Sequence, residues 1–271
     1  MKIFKTKLKI TKKRALITFL ILAILISFFT IGNKKAQSPH LGSVSSNQQT
    51  KPGNEDKNKK TNNSKEQSTT QDIVSIKTQH SIDQPGSIWW IINKTRPLPS
   101  GYIPDSLVNP DVTLRLGAGA QEMYIRADVA PAVQQMFSDA SNAGHALLFA
   151  SGYRSETLQT QLYNNYVQAD GQEAADRYSA RPGTSEHQTG LTFDVCLQNS
   201  LCNLEESFGH TPAGIWIAQN AHNYGFIIRY PSGKETITGY MYEPWHLRYV
   251  GVDLATKLAN SGLTMEEYFN L

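Results

Sequence analysis

The strongest apolar pattern in the chain lies near its beginning, where residues 15–32 are uncharged and mostly hydrophobic. Such a stretch is just long enough to cross a hydrocarbon layer about 30 Å thick. A cleaved signal peptide is the alternative, but its apolar region usually spans only about 7 to 15 residues and ends in a site of small residues. Here Asn33, Lys34 and Lys35 follow instead. Because residues 1–14 are basic and contain no acid, the pattern favours an uncleaved single-pass anchor in the cell membrane, with a short cytoplasmic segment and an extracellular remainder.

Residues 33–80 are rich in Asn, Gln, Ser, Thr and Lys and show neither a helical nor a strand period. A segment of this composition cannot bury enough apolar surface to offset its chain entropy. We therefore interpret it as a disordered linker between the anchor and a folded domain over residues 81–271.

Within residues 81–271 the apolar positions follow both periods, and Ser, Thr, Asp and Gly stand where helices begin and end. Helices are predicted from the candidate cap Asp128 to Gly144 and after the candidate cap Ser155. A third is predicted from about Ala213 to Asn223, ended by Gly225, and a last helical turn has capping-box spacing at Thr264 and Glu267. Strands are predicted over 145–150, 191–195, 226–229 and 246–250. Since helices and strands do not alternate regularly and no Gly-rich phosphate loop is present, the pattern indicates an α+β domain.

The net charge of +3 conceals a division between the two parts of the chain. Residues 1–80 carry 15 Lys or Arg against 4 Asp or Glu, and residues 81–271 carry 11 against 19. The excess of basic residues therefore belongs to the anchor and the linker, not to a folded face, and nucleic acid is not an expected partner.

The only two cysteines, Cys196 and Cys202, stand at either end of a short segment in the folded part. An extracellular location permits a disulfide between them. Two unpaired buried thiols are the alternative, and the sequence alone does not decide between the two.

Two separated segments carry the residue types of a catalytic metal site. His187 and Asp194 are seven positions apart, so Gly190 must allow a hairpin or bulge if both are to face one ion. Glu243 and His246 flank Pro244, which makes a regular central strand unsuitable there and favours a turn that leads into a strand at His246. Two imidazoles and one carboxylate would leave a fourth position of a tetrahedral zinc open, as in hydrolytic sites.

Ser151-Gly152-Tyr153-Arg154-Ser155, followed by Gln159, lies where a buried strand is predicted to end and a helix to begin. Arg154 in such a turn could bind a carboxylate or polarise a carbonyl, or it could only pair with an acid of the domain. Taken alone, the residues favour neither reading.

The order Ser-Gly-Tyr-Arg-Ser-x-x-x-Gln, Ser-x-His-x-x-Gly-x-Thr-x-Asp and Glu-x-x-His resembles the VanY-type carboxypeptidases, the D-alanyl-D-alanine and related L,D-carboxypeptidases of bacterial cell walls. The resemblance extends upstream to residues 93–99 and covers roughly residues 88–250. The three motifs in this order are specific, whereas any one of them would be weak. One departure is Thr192, where the family usually has Ala, and it removes no ligand.

The resemblance implies a single zincin-like domain, shared with lysostaphin-type and hedgehog domains, with a central antiparallel sheet flanked by helices. It implies Zn²⁺ on His187, Asp194 and His246, Glu243 as general base, Arg154 on the substrate carbonyl or carboxylate, and Gln159 and Ser185 in the pocket. The expected reaction removes the terminal D-alanine from peptidoglycan stem peptides.

Three alternatives stay open at this point. L,D-cleavage of tetrapeptide stems would use the same metal and base, and a wall-binding module could keep the fold without chemistry. A structural zinc would need a fourth protein ligand, for which His210 and His222 are the candidates.

Overall fold

The computed structural model describes residues 80–271 of the chain. The predicted cytoplasmic segment 1–14, the predicted anchor 15–32 and all but the last residue of the predicted linker 33–80 lie outside the described residues. Within residues 80–271, no helix combines the length and the apolar composition that a membrane span requires.

Two antiparallel sheets organise the domain. The smaller pairs β1 (Leu107–Val108) with β2 (Ile125–Arg126). The larger contains four strands in the order β3-β4-β6-β5, each antiparallel to its neighbours. Their bounds are β3, Leu147–Ser151; β4, Thr192–Leu197; β5, Phe226–Ile228; and β6, His246–Tyr249. The two central strands, β4 and β6, are almost entirely buried.

Seven α-helices lie among the described residues, most of them short. They are α1, Ala130–Asn142; α2, Glu156–Asp170; α3, Gln172–Tyr178; α4, Pro212–Asn220; α5, Glu235–Thr238; α6, Val252–Ser261; and α7, Met265–Phe269. Four 3₁₀ turns connect other parts of the chain, at Gln121–Met123, Glu186–Thr189, Glu206–His210 and Ala221–Tyr224. The structure confirms the predicted α+β class with an antiparallel sheet and helices.

Most of the predicted helix ends are confirmed. The Ser155 hydroxyl accepts from the Leu158 N–H at 3.2 Å and caps α2, and Thr264 and Glu267 form the capping box of α7. Asp128 does not cap α1 as predicted. Its carboxylate pairs with Arg126, and α1 begins without a side-chain cap.

The core lies where α1 and the segment 212–224 pack against the four-stranded sheet. Phe193, at the centre of β4, stacks on Phe149 with ring centroids 5.0 Å apart and contacts Phe226 edge-on at 5.4 Å. A second apolar cluster, including Trp89 and Phe269, joins the beginning of the described chain to its last two helices.

Cys196, near the end of β4, forms a disulfide with Cys202, with Cα atoms 5.4 Å apart. Of the two readings that the sequence left open, the structure therefore has the bridge. It ties the segment after β4 to the strand that carries Asp194.

Candidate active site

His187 lies in the 3₁₀ turn Glu186–Thr189, which ends at Gly190. Gly190 has a φ of +67°, a conformation that other residues adopt only with strain, so the chain reverses here by a 3₁₀ turn instead of a hairpin or bulge. The His187 Nδ1 atom lies 2.6 Å from the Gly152 carbonyl oxygen. Because a carbonyl only accepts, Nδ1 carries the proton and Nε2 keeps the free lone pair that a metal requires.

Asp194 and His246 are brought together by strand pairing. They are register partners in β4 and β6, so their side chains leave the same face of the sheet at the same level. His246 is the first residue of β6 and follows a turn in which its N–H donates to the Glu243 carbonyl oxygen at 3.1 Å. The predicted turn into a strand at His246 is confirmed.

One ligand atom from each of His187, Asp194 and His246 can be chosen so that all three lie within 4.8 Å of one another. His187 Nε2 is 3.4 Å from Asp194 Oδ2, and His246 Nδ1 is 3.3 Å from Asp194 Oδ1. All three side chains are at least 94% buried. Such spacing suits three ligands around one ion, which zinc would bind at about 2.0 to 2.2 Å each.

The electrostatics of this cluster favour a cation. Asp194 Oδ1 is buried and accepts no hydrogen bond from the described residues. Burial alone would lower the pKa of His246, but the carboxylates of Asp194 and Glu186 outweigh it and raise this pKa to about 9. The cluster therefore attracts a positive charge to the space beside Asp194, and a divalent cation can replace that proton. Two imidazoles and a carboxylate form the donor set of open, hydrolytic zinc sites.

Glu243 stands beside this cluster, with Oε2 3.5 Å from His246 Nδ1. Its N–H donates to the Tyr230 carbonyl oxygen at 3.0 Å, which holds the turn in place. Burial raises the pKa of the Glu243 carboxyl to about 7, so this group can take up and release a proton near neutral pH.

Arg154 follows β3 and extends into the same space. Its Nη2 donates to Asp194 Oδ2 at 3.2 Å and its Nη1 donates to Gln159 Oε1 at 3.1 Å, while Nε is buried without a partner among residues 80–271. Gln159 is fixed in turn by donating to the Ala180 carbonyl oxygen at 2.7 Å. The guanidinium is thus held in orientation and keeps a donor for another group.

All the residues predicted for the site line one open cleft with a volume of about 390 Å³. Those residues are Arg154, Gln159, Ser185, His187, Asp194, Glu243 and His246. Tyr230 and Tyr240, whose ring centroids lie 4.4 Å apart with the planes tilted by 37°, form part of the wall next to His246. His210 and His222, the candidate fourth ligands of a structural zinc, lie in other 3₁₀ turns and are not among these lining residues.

Sequence reasoning missed a buried ionic cluster behind the metal cluster. Glu186 Oε1 accepts from Arg229 Nε and from Arg248 Nη1, both at 2.8 Å, and Arg229 also pairs with Glu266. All four side chains are at least 95% buried. The only signal in the sequence was the presence of two arginines within segments that otherwise have strand composition.

The concave cleft holds two imidazoles and a carboxylate that can bind zinc, with a buried acid beside them. This combination defines a zinc metallopeptidase. The chain belongs to the VanY family of D-alanyl-D-alanine carboxypeptidases, whose profile matches residues 122–252. The predicted family is thereby confirmed, and the protein is a zinc carboxypeptidase.

Three similarities illustrate this membership. YodJ of Bacillus subtilis is 44% identical over 198 residues, which cover 73% of this chain and 72% of that protein. The structure of the L,D-carboxypeptidase LdcB aligns with a TM-score of 0.66 and 45% identity, over 69% of this chain and 88% of that one. The zinc complex of a variant of the D,D-pentapeptidase VanY, from a VanB-type resistance cassette, aligns with a TM-score of 0.54 and 33% identity, over 66% of this chain and 97% of that one.

Proposed function

We propose that the protein removes the terminal D-alanine from peptidoglycan stem peptides, with zinc held by His187, Asp194 and His246. One observation carries this proposal: three ligand atoms within 4.8 Å of one another share an open cleft with a buried acid and a fixed guanidinium. Zinc, when bound there, supplies a Lewis acid that polarises the scissile carbonyl and acidifies water.

Glu243 is the general base in this proposal. Its carboxylate takes a proton from the attacking water as the oxygen bonds to the carbonyl carbon. It then gives that proton to the amide nitrogen as the C–N bond breaks, so the products are a shortened stem and free D-alanine. The position of Oε2, 3.5 Å from His246 Nδ1, supports this role because the base must lie beside the metal ligands without replacing one.

Arg154 stabilises negative charge on the substrate. Its Nη atoms bond to Asp194 and Gln159, so the guanidinium is oriented before substrate arrives, and such preorganised donors are the most effective. In the proposed complex Arg154 meets the carbonyl oxygen or the terminal carboxylate, and Gln159 and Ser185 line the pocket around the last residue.

L,D-cleavage of a tetrapeptide is the second candidate activity. The observation that favours it is the likeness to LdcB, which is higher in identity and TM-score than the likeness to the D,D-pentapeptidase VanY. Both reactions use the same metal and base and differ only in the residue that precedes the terminal D-alanine.

We propose further that residues 15–32 anchor the chain in the membrane, residues 1–14 stay in the cytoplasm, and residues 33–80 link the anchor to an extracellular catalytic domain over 81–271. The apolar and basic pattern of residues 1–32 supports this arrangement. Cell fractionation tests it: the full chain should sediment with membranes, and a chain lacking residues 1–32 should not.

The activity is tested by incubating the purified full chain with defined pentapeptide and tetrapeptide muropeptides, with and without a zinc chelator, and following mass. We expect a chelator-sensitive loss of one alanine. Loss from the pentapeptide alone identifies a D,D-carboxypeptidase, and loss from the tetrapeptide alone identifies an L,D-carboxypeptidase. A zinc-loaded chain that bound muropeptides and cleaved neither would refute the proposal in favour of a wall-binding module.

A further inference from the structure

Glu186, the residue directly before His187, divides its two carboxylate oxygens between two environments. Oε1 accepts from Arg229 Nε and Arg248 Nη1 at 2.8 Å each. Oε2 faces the other way, 3.6 Å from His246 Nε2 and 3.5 Å from the Thr192 hydroxyl. Glu186 itself is 1% exposed.

Nε2 of His246, the ring nitrogen on the side of Glu186, is buried and has no hydrogen-bond partner among the described residues. A buried imidazole nitrogen without a partner is costly, and the carboxylate oxygen that faces it is only slightly beyond hydrogen-bond distance. Such a carboxylate accepts only, so it places the ring proton on Nε2 and leaves the Nδ1 lone pair facing Asp194 and the cleft.

The two arginines hold Glu186 in this orientation, and their other hydrogen bonds go to groups other than His246. Arg229 makes two further hydrogen bonds to Glu266, at 2.6 and 3.0 Å. Arg248 also donates to the backbone oxygens of Ile88, Trp90 and Tyr249. The two cations therefore fix Oε1, and Oε2 faces the Thr192 hydroxyl and His246 Nε2.

From this geometry we infer that Glu186 is a positioning residue for the metal centre: it binds Nε2 of His246 and thereby presents Nδ1 of the same ring to zinc. The inference rests on the proposed ligand set. Two successive residues would then have different roles at the metal centre: His187 binds the ion directly, and Glu186 orients the ligand His246.

The substitution Glu186→Gln tests this inference because it keeps the side-chain shape and replaces one carboxylate oxygen, which accepts a hydrogen bond, with an amide NH₂, which donates one. The arginines require an acceptor at the Oε1 position, so the amide oxygen takes that place and the amide NH₂ faces His246 Nε2. The ring proton is then driven to Nδ1, where it competes with the metal. Loss of an outer-shell partner typically costs about 10- to 100-fold in metal affinity, and we expect that range for the zinc Kd of E186Q.

Zinc affinity of the purified full chain is measured by competition with a chromophoric chelator. Glu266→Gln is the matched control, because it removes one negative charge from the same cluster without facing His246, and its zinc affinity should stay close to that of the wild type. An E186Q chain that binds zinc as tightly as E266Q would overturn the inference.

A second measurement decides the matter even if E186Q does not fold. In the zinc-loaded wild-type chain labelled with ¹⁵N-histidine, the His246 shifts should show a protonated, slowly exchanging Nε2 and a metal-bound Nδ1. Zinc on Nε2, or an Nε2 proton that exchanges as in free imidazole, would refute the role of Glu186. His246→Ala separates the two proposals: unchanged zinc affinity in H246A removes His246 from the ligand set, whereas lowered affinity in H246A with unchanged affinity in E186Q removes only the inference about Glu186.

Discussion

Gly152 connects the packing of the sheet to the metal cluster, so replacing it with alanine should damage both. A Cβ at this position would lie 2.2 Å from the Tyr124 carbonyl oxygen and 2.7 Å from Cζ of Phe149. Ordinary contact begins at 3.4 Å, so the segment that follows β3 would have to move by about 1 Å.

That movement is opposed from both sides. The Gly152 N–H donates to the Glu122 carbonyl oxygen at 2.5 Å, and the next residue, Tyr153, donates to the same Tyr124 oxygen that the methyl group would strike, at 2.7 Å. Overpacking a core usually costs about 1 to 3 kcal/mol, and because the obstacle here is backbone we expect the upper end of that range for G152A. The Gly152 oxygen would move with this segment, away from His187 Nδ1, and zinc affinity should fall by about tenfold or more.

Urea unfolding of the metal-free protein measures the loss of stability. With an m value of about 2 kcal/mol/M, a loss of about 3 kcal/mol shifts the midpoint by roughly 1.5 M. Competition with a chelator measures the loss of zinc affinity. Gly117→Ala is the matched control, since a Cβ there meets nothing within 4 Å and the residue lacks a positive φ. A G152A chain with the stability and zinc affinity of G117A would refute the reasoning.

Three further predictions follow from the contacts above. Glu243→Gln should keep its zinc and lose about 10²- to 10⁴-fold in turnover, measured by metal content and alanine release, and full turnover would remove Glu243 from the base role. Ser155→Ala deletes the cap of α2 and should lower the free energy of unfolding by about 0.5 to 2 kcal/mol in urea, whereas an unchanged midpoint would contradict the capping role. Phe193→Ala removes a fully buried ring at the sheet centre and should cost about 3 to 5 kcal/mol, with Phe193→Leu costing less; equal losses would show that the cavity is not the cause.

The parts of the fold that local chemistry determines were predictable from the sequence. Ser155 and Thr264 indicate where helices begin because their side chains bind backbone groups a few residues away, and Gly225 indicates where one ends because its backbone can adopt a positive φ. The cap predicted at Asp128 is wrong because two local interactions compete for its carboxylate. This group can cap a helix, but it pairs with Arg126, two residues earlier. Only the folded geometry shows which partner an acid chooses.

The residues proposed for the chemistry could be selected because their spacing carries a known pattern, whereas the residues behind them could not. Glu186 reads in the sequence as one more polar residue beside a histidine, and Arg248 reads as a surface cation on a strand. Both are buried, and the contacts that make burial tolerable join positions 62 residues apart. A period of two or 3.6 cannot reveal such a pairing, since it depends on how β4, β6 and the last helix come together.

The place of Glu266 in α7 has a practical consequence for the far end of the chain. Short terminal helices on a protein surface can often be trimmed, yet removing this one would strip Arg229 of its outer carboxylate and open the Trp89 cluster. Shortened versions that stop before Met265 should therefore be recovered as insoluble material, even though no residue beyond that point lines the catalytic cleft.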